Sequence, residues 1–169
     1  MIWHFHPEIE LVYITGASGT RHVGKHISKY KDSDLVLIGS NIPHLNFDYG
    51  LRQTYQKRVF HLSPNFANPE IKLLPEMAAI GRLLKAADYG LAFGKVTQRK
   101  LHKRLMQLHK KEGFEQFIKW LQILDVLAQA QDVEPLHSKP YTHLFRQKDK
   151  ERLTAVNRFI EDHYHRKIE

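Results

Sequence analysis

The chain has 169 residues, 42% of them apolar and 26% charged, with no cysteine and a formal net charge of +8. That length suits one domain, or one domain with a small appendage, and allows a real core. Disulfide staples, thiolate metal sites and a cysteine nucleophile are excluded. No run nears the roughly 18 apolar residues of a membrane span and no signal-peptide core opens the chain, so the expectation is a cytoplasmic protein with no membrane partner.

The first stretch, Trp3 to Gly16, alternates. In a strand, successive side chains point to opposite faces, which would set His4, His6, Glu8 and Glu10 along one face and Trp3, Phe5, Ile9, Leu11 and Tyr13 along the other. That concentration of imidazole and carboxylate reads as the wall of a pocket, with Tyr13 as core and Glu8, after Pro7, at a bend. Thr20 to Val23 and His26 to Tyr30 fit strands flanking a Gly24-Lys25 turn. Asp34 to Ile38 is apolar on both faces, as in a strand covered from both sides. Arg52 to Leu62 reads as another strand, and the series argues for a small barrel or sandwich.

Helical periodicity then takes over. Pro75 to Ala87 carries Met77, Ile80, Leu83 and Leu84 at helical spacing, and Gly90 to Gly94 reads as a return to the sheet. Thr97 to Lys110 sets Leu101, Leu105 and Leu108 in a narrow stripe. Phe114 to Ala130 presents Phe117, Ile118, Leu121, Leu124 and Leu127. Residues 132–148 contain Pro135 and Pro140 and read as a linker. A last helix, N-capped by Asp149, presents Leu153, Val156, Phe159 and Ile160. It cannot bury that face alone, which suggests a chain cut at the start of a further domain.

Charge is uneven. Residues 1–93 hold 10 Lys/Arg against 8 Asp/Glu, a balance of +2, whereas residues 94–169 hold 16 against 10, or +6. Lys95 to Lys111 has seven basic residues and no acid. Such a surface favours a polyanionic partner, with a solvated helix face as the plain alternative.

His4, His6 and Glu10, with His44 in Asn41-Ile-Pro-His44, form a donor set for one divalent transition metal such as Zn, Ni, Mn or Fe. The condition is that His44 arrive from a neighbouring strand on the same face. Direct contact with an organic ligand is the alternative, since a few convergent polar groups in an apolar cavity also describe a small-molecule site. Arg21 is a further candidate, for an anionic group.

The runs Trp-His-x-His-Pro-Glu-x-Glu-Leu, Gly-x-x-x-x-x-x-Val-Gly and Asp-Leu-Val-Leu-Ile-Gly-x-Asn-x-Pro-His resemble a cupin domain, and more particularly the sensor domain of AraC-type bacterial transcription regulators. The resemblance covers about residues 3–62 well and continues less specifically to 131. Residues 149–169 are similar to the first helix of that family's DNA-binding domain. It implies an α+β fold, a cupin-like antiparallel β-barrel followed by helices, with a barrel sensor over 1–94, a helical dimerisation region over 95–131, the linker at 132–148 and the start of a DNA-binding domain at 149–169. The implied ligand-binding residues are His4, His6, Glu10, Arg21 and His44, with His4, His6, Glu10 and His44 as metal ligands. Leu101, Leu105 and Leu108 would form the contact of a homodimer. The implied partners are a small-molecule effector, sugars or related metabolites in this family, and DNA through the domain not present here.

Ser33 and Gly39 replace a glycine and a proline frequent in the second cupin motif, a departure that points away from an enzyme. The leading expectation is therefore a non-enzymatic ligand-sensing and dimerisation region. A metal-dependent cupin isomerase or dioxygenase is the second reading, and direct nucleic-acid binding by the basic helices the third.

Overall fold

The computed structural model describes residues 3–47, 55–67 and 74–141, together with Val156 and Phe159. Strand β1 is Ile9–Thr15, followed by β2, Gly19–Val23; β3, His26–Tyr30; β4, Ser33–Ile38; β5, His44–Phe47; and β6, Gln56–Leu62. A 3-10 turn at Pro75–Met77 leads into helix α1, Ala78–Ala86. Then come strand β7, Leu91–Phe93; helix α2, Lys95–Gln107; helix α3, Gly113–Ala128; and strand β8, Val133–Pro135. The fold is α+β, with strands first and helices after.

Five antiparallel strands form one sheet in the order β6-β1-β4-β7-β8, and three form a second in the order β3-β2-β5. Alternation decides what lies on each side of the first sheet. Leu11, Tyr13, Leu35 and Leu37 share a core with Ile80, Leu83 and Leu84 of α1, Leu101 and Leu105 of α2, and Ile123, Leu124 and Leu127 of α3. Val12, Ile14, Val36 and Ile38 instead meet Val23, Ile42 and Leu136 in a second core, the one shared with the three-stranded sheet. Strands β1 and β4 are thus buried on both faces, which is why Asp34 to Ile38 reads as continuously apolar.

Four expectations change. Among the described residues the two sheets do not close into one hydrogen-bonded barrel, because the chain crosses between them at residues 16–18 and neither sheet pairs with the other. Residues 132–148 are not linker from their start: Val133–Pro135 pairs with β7, and Leu136 is buried. Proline is tolerated there because β8 is an edge strand. Helix α3 turns Trp120, Ile123, Leu124 and Leu127 inward and leaves Phe117 exposed, so its buried face is rotated from the one anticipated. Leu101, Leu105 and Leu108 are buried in the chain's own core, packed with α1 and α3, and present no exposed seam. The division expected at 94/95 does not interrupt this packing. Most of 149–169 lies outside the described residues.

Gly39, at the position where proline was expected, has a local cause. A Cβ there would sit 2.7 Å from the Ala87 carbonyl oxygen, so the end of β4 passes against the turn after α1 only with glycine.

Helix α2 lacks a cap from its own flank and takes one from the chain 35 residues later. Asp132 Oδ2 accepts from Val96 N at 2.9 Å and Thr97 N at 3.1 Å, and Oδ1 accepts from the Thr97 hydroxyl. Asp132→Ala is expected to cost about 0.5–2 kcal/mol by urea denaturation, the range for losing an N-cap. A smaller loss would mean that water replaces the cap.

Candidate metal centre

A single unbroken strand would spread His4 and Glu10 by about 20 Å, too far to share an ion. The chain breaks at Pro7-Glu8 instead, and β1 starts only at Ile9. The segment before the bend is fastened elsewhere: His4 forms an isolated antiparallel bridge with His44, and Asn41 N donates to His6 O at 2.8 Å. Asn41 takes φ 58°, a left-handed conformation that asparagine adopts more readily than most residues, and so turns the chain into Pro43 and His44. The bend thus folds His4 and His6 back over Glu10, and β5 brings His44 to the same place.

One ligand atom from each of His4, His6, Glu10 and His44 lies within 4.8 Å of every other. Around an ion with bonds of about 2.1 Å, neighbouring donors stand about 3–4 Å apart, so a small contraction suffices. The set grades in depth: His44 and Glu10 are 2% and 4% exposed, His6 is intermediate, and His4 lies at the surface.

Glu10 Oε2 is the hub. It accepts from His6 Nε2 and His61 Nε2, each at 2.9 Å, and lies 3.4 Å from His44 Nε2. Burial pushes the Glu10 carboxyl up, but the His44 contact and charge, then the hydrogen bonds from His61 and His6, outweigh it and hold the group at about 2. His44 Nδ1 meets the Ile42 carbonyl at 2.7 Å, so the hydrogen-bond network assigns the proton to Nδ1. Nε2 is buried without a hydrogen-bond partner, 3.4 Å from the Glu10 carboxylate oxygen. A carboxylate oxygen and a buried ring nitrogen at that distance accommodate a cation between them, either a proton on the ring or a metal ion. A backbone carbonyl holding the far nitrogen is also what orients metal-binding histidines.

The remaining candidates are placed differently. Glu8 is half-buried at the bend, with Oε2 3.3 Å from His6 Nδ1. Arg21 does not join the cluster: its Nη1 donates to Asp34 Oδ1 at 2.5 Å and its Nε to Ser28 Oγ at 2.8 Å. Asp34 stands four residues along β4 from Ile38, the partner of Glu10, so this pair is about 13 Å down the sheet from the centre. His61, which the sequence reading passed over, is the register partner of Glu10 on β6. It also lines a groove of about 350 Å³ with Val59, Phe60, Phe117 and Trp120, between β6 and α3. Its signal was present, since it falls within the strand expected over 52–62, but the pairing of β6 with β1 was needed to see it.

Comparison of the chain with protein-family models and with curated proteins returns no match, so the reading of this centre rests on its own geometry.

Proposed function

We propose that the chain is a cupin-like ligand-sensing domain of an AraC-type transcription regulator whose effector site is built on a divalent transition metal held by His4, His6, Glu10 and His44. The observation that carries the metal is the convergence of three imidazoles and one buried carboxylate, with the buried His44 Nε2 3.4 Å from Glu10 Oε2. Zn, Ni, Mn and Fe suit this donor set. The metal would supply an electropositive point to which an effector's oxygen atoms bind.

The residues also suggest how occupancy would be transmitted. The ligands come from three separate pieces of chain, the segment before β1, β1 itself and the start of β5. Tying them together fixes their mutual position, and Glu10 passes this to His61 on the edge strand β6, whose neighbour Phe60 packs against Trp120 of α3 with ring centroids 5.4 Å apart. An effector that prefers one arrangement of sheet and helices shifts the population toward it. The reading includes a homodimer, a cytoplasmic location and a DNA-binding domain in the whole regulator. The surface for a second copy would come from residues other than the buried leucine stripe.

A second reading, a metal-dependent cupin enzyme, is favoured by the surface position of His4, which leaves one side of the cluster open to a substrate.

The test is elemental analysis of untagged protein purified without chelator, with a thermal-shift series in Zn and Ni. Close to one ion per chain is expected. At 100 times Kd, added metal stabilises by about 2.7 kcal/mol, which for this chain length is a rise of about 5–11 °C in Tm. His44→Ala should lose both effects. A wild type with no metal and no shift would leave the cluster as an organic-ligand site and remove the enzyme reading with it.

A further inference from the structure

Helix α2 buries Thr97, Gln98, Leu101 and Leu105. At 3.6 residues per turn the exposed surface carries Lys95, Arg99 and Lys103 in a row opposite the buried face and Lys100 and Arg104 in a second row that runs to its flank beside Thr97, with Lys110 just beyond the helix end. All six are exposed, and no acid occurs between Lys95 and Lys111. Lys95 is partly committed, its Nζ donating to the Lys31 carbonyl at 2.5 Å and the Ser33 carbonyl at 3.1 Å, and Lys111 pairs with Glu115 at 2.7 Å. Among the described residues Arg99, Lys100, Lys103, Arg104 and Lys110 meet no carboxylate. Four of them stand on the well-packed helix, where Arg99/Lys103 and Lys100/Arg104 repel at i,i+4 spacing, and no carboxylate among the described residues neutralises them.

We infer that this face of α2 binds the phosphate backbone of double-stranded nucleic acid without sequence preference. The inference is independent of the metal centre. The chemistry of the helix selects the partner among polyanions. A helix that lies on an anionic membrane needs an apolar face to bury in the interface, but here Leu101 and Leu105 are consumed by the core and Val96, 62% exposed, is the one large apolar residue turned outward among the described residues of α2. A single strand is held largely by stacking on aromatic rings, and α2 has no Phe, Tyr or Trp. Long cationic side chains in parallel rows suit phosphates, whose contacts position a protein on a duplex and carry no base information. Association would release about four counterions, one for each of Arg99, Lys100, Lys103 and Arg104.

The experiment is fluorescence anisotropy of a labelled 20-base-pair duplex with the full chain, at several salt concentrations between 50 and 200 mM and with two unrelated sequences. For about four neutralised phosphates the slope of log K against log salt is about −3.6, a loss of roughly 100-fold in affinity across that range. Arg99→Gln/Lys103→Gln and Lys100→Gln/Arg104→Gln should each flatten the slope by about two and weaken binding at 50 mM. Lys25→Gln/Lys29→Gln, which removes the same charge from the exposed β2–β3 hairpin, should leave the slope unchanged, and circular dichroism would confirm that every variant is folded. No binding at 50 mM salt overturns the inference. So do α2 variants that bind like wild type, a hairpin variant as weak as they are, or tighter binding to a single strand or to phosphatidylglycerol vesicles than to the duplex.

Discussion

Glu10→Gln is expected to weaken Ni or Zn binding by about 100-fold or more while the chain stays folded. Loss of a partner behind a ligand costs 10–100-fold in many metal sites, and Glu10 would itself be a ligand in the proposed site, the one anionic member of the set. Glutamine keeps the shape of the side chain and an acceptor oxygen but removes the charge that three imidazoles surround. His61→Ala is the contrast: His61 touches Glu10 but lies outside the four-residue cluster and is half exposed, so about 10-fold is expected. Titration calorimetry of both variants separates the roles, and equal affinity of Glu10→Gln and wild type would mean that the ion binds elsewhere. The substitution also has a pH signature in metal-free protein. Glu10 is held at about 2, below its ordinary 4.5, so its charged form stabilises the fold above pH 4.5 and that contribution fades as pH falls toward 2. Wild type should therefore exceed Glu10→Gln in urea stability at neutral pH, and the gap should shrink between pH 4.5 and 2. Metal affinity is also expected to fall on acidification, because imidazoles must lose their protons to bind an ion.

What could be read from the sequence divides along physical lines. Residue chemistry was legible: His4, His6, Glu10 and His44 stand out because imidazole and carboxylate are uncommon in a stretch that otherwise alternates like a half-buried strand. The two-sided burial of β4, the inward turn of Ile9, Leu11 and Tyr13, and the return of the chain to the sheet at Leu91–Phe93 were also legible, since each is local in periodicity. Long-range pairing was not. His61 belongs to the centre only through the β1–β6 register across 51 positions. Strand β8 hides in a proline-containing run because its partner β7 is three residues long, and β5 is only four residues after a proline. The leucine stripe of α2 is equally consistent with a dimer seam and with an internal core, and only the packing of α1 and α3 on it distinguishes the two. The bend at Pro7 is the most consequential of these, because the even alternation that drew attention to the four polar residues would, if continued as a strand, have kept them from meeting.

Arg21→Ala is expected to destabilise the fold by about 3–5 kcal/mol, the cost of leaving a buried charge without its partner. The Asp34 side chain is 3% exposed, and its Oδ2 has no hydrogen-bond partner, so Oδ1 and the Arg21 guanidinium carry most of its compensation. Even with that guanidinium beside it, burial pushes the Asp34 carboxyl above its ordinary range. Removing Arg21 removes the main opposing influence, and the native state then favours the protonated acid. The sign follows: the folded chain binds a proton that the unfolded chain does not, so the deficit of Arg21→Ala relative to wild type should narrow as pH is lowered toward 3.8. The double variant Arg21→Met/Asp34→Leu separates the value of the pair from the penalty of breaking it. Replacing both partners with apolar groups of similar size is expected to return stability to within about 1–2 kcal/mol of wild type, or above it. Urea denaturation at pH 7 and pH 5 of the two variants is the measurement. A single variant within 1 kcal/mol of wild type at pH 7 would mean that water reaches Asp34 through the adjoining cleft lined by Lys29, Lys31 and Lys95, and that the pair is solvated rather than buried.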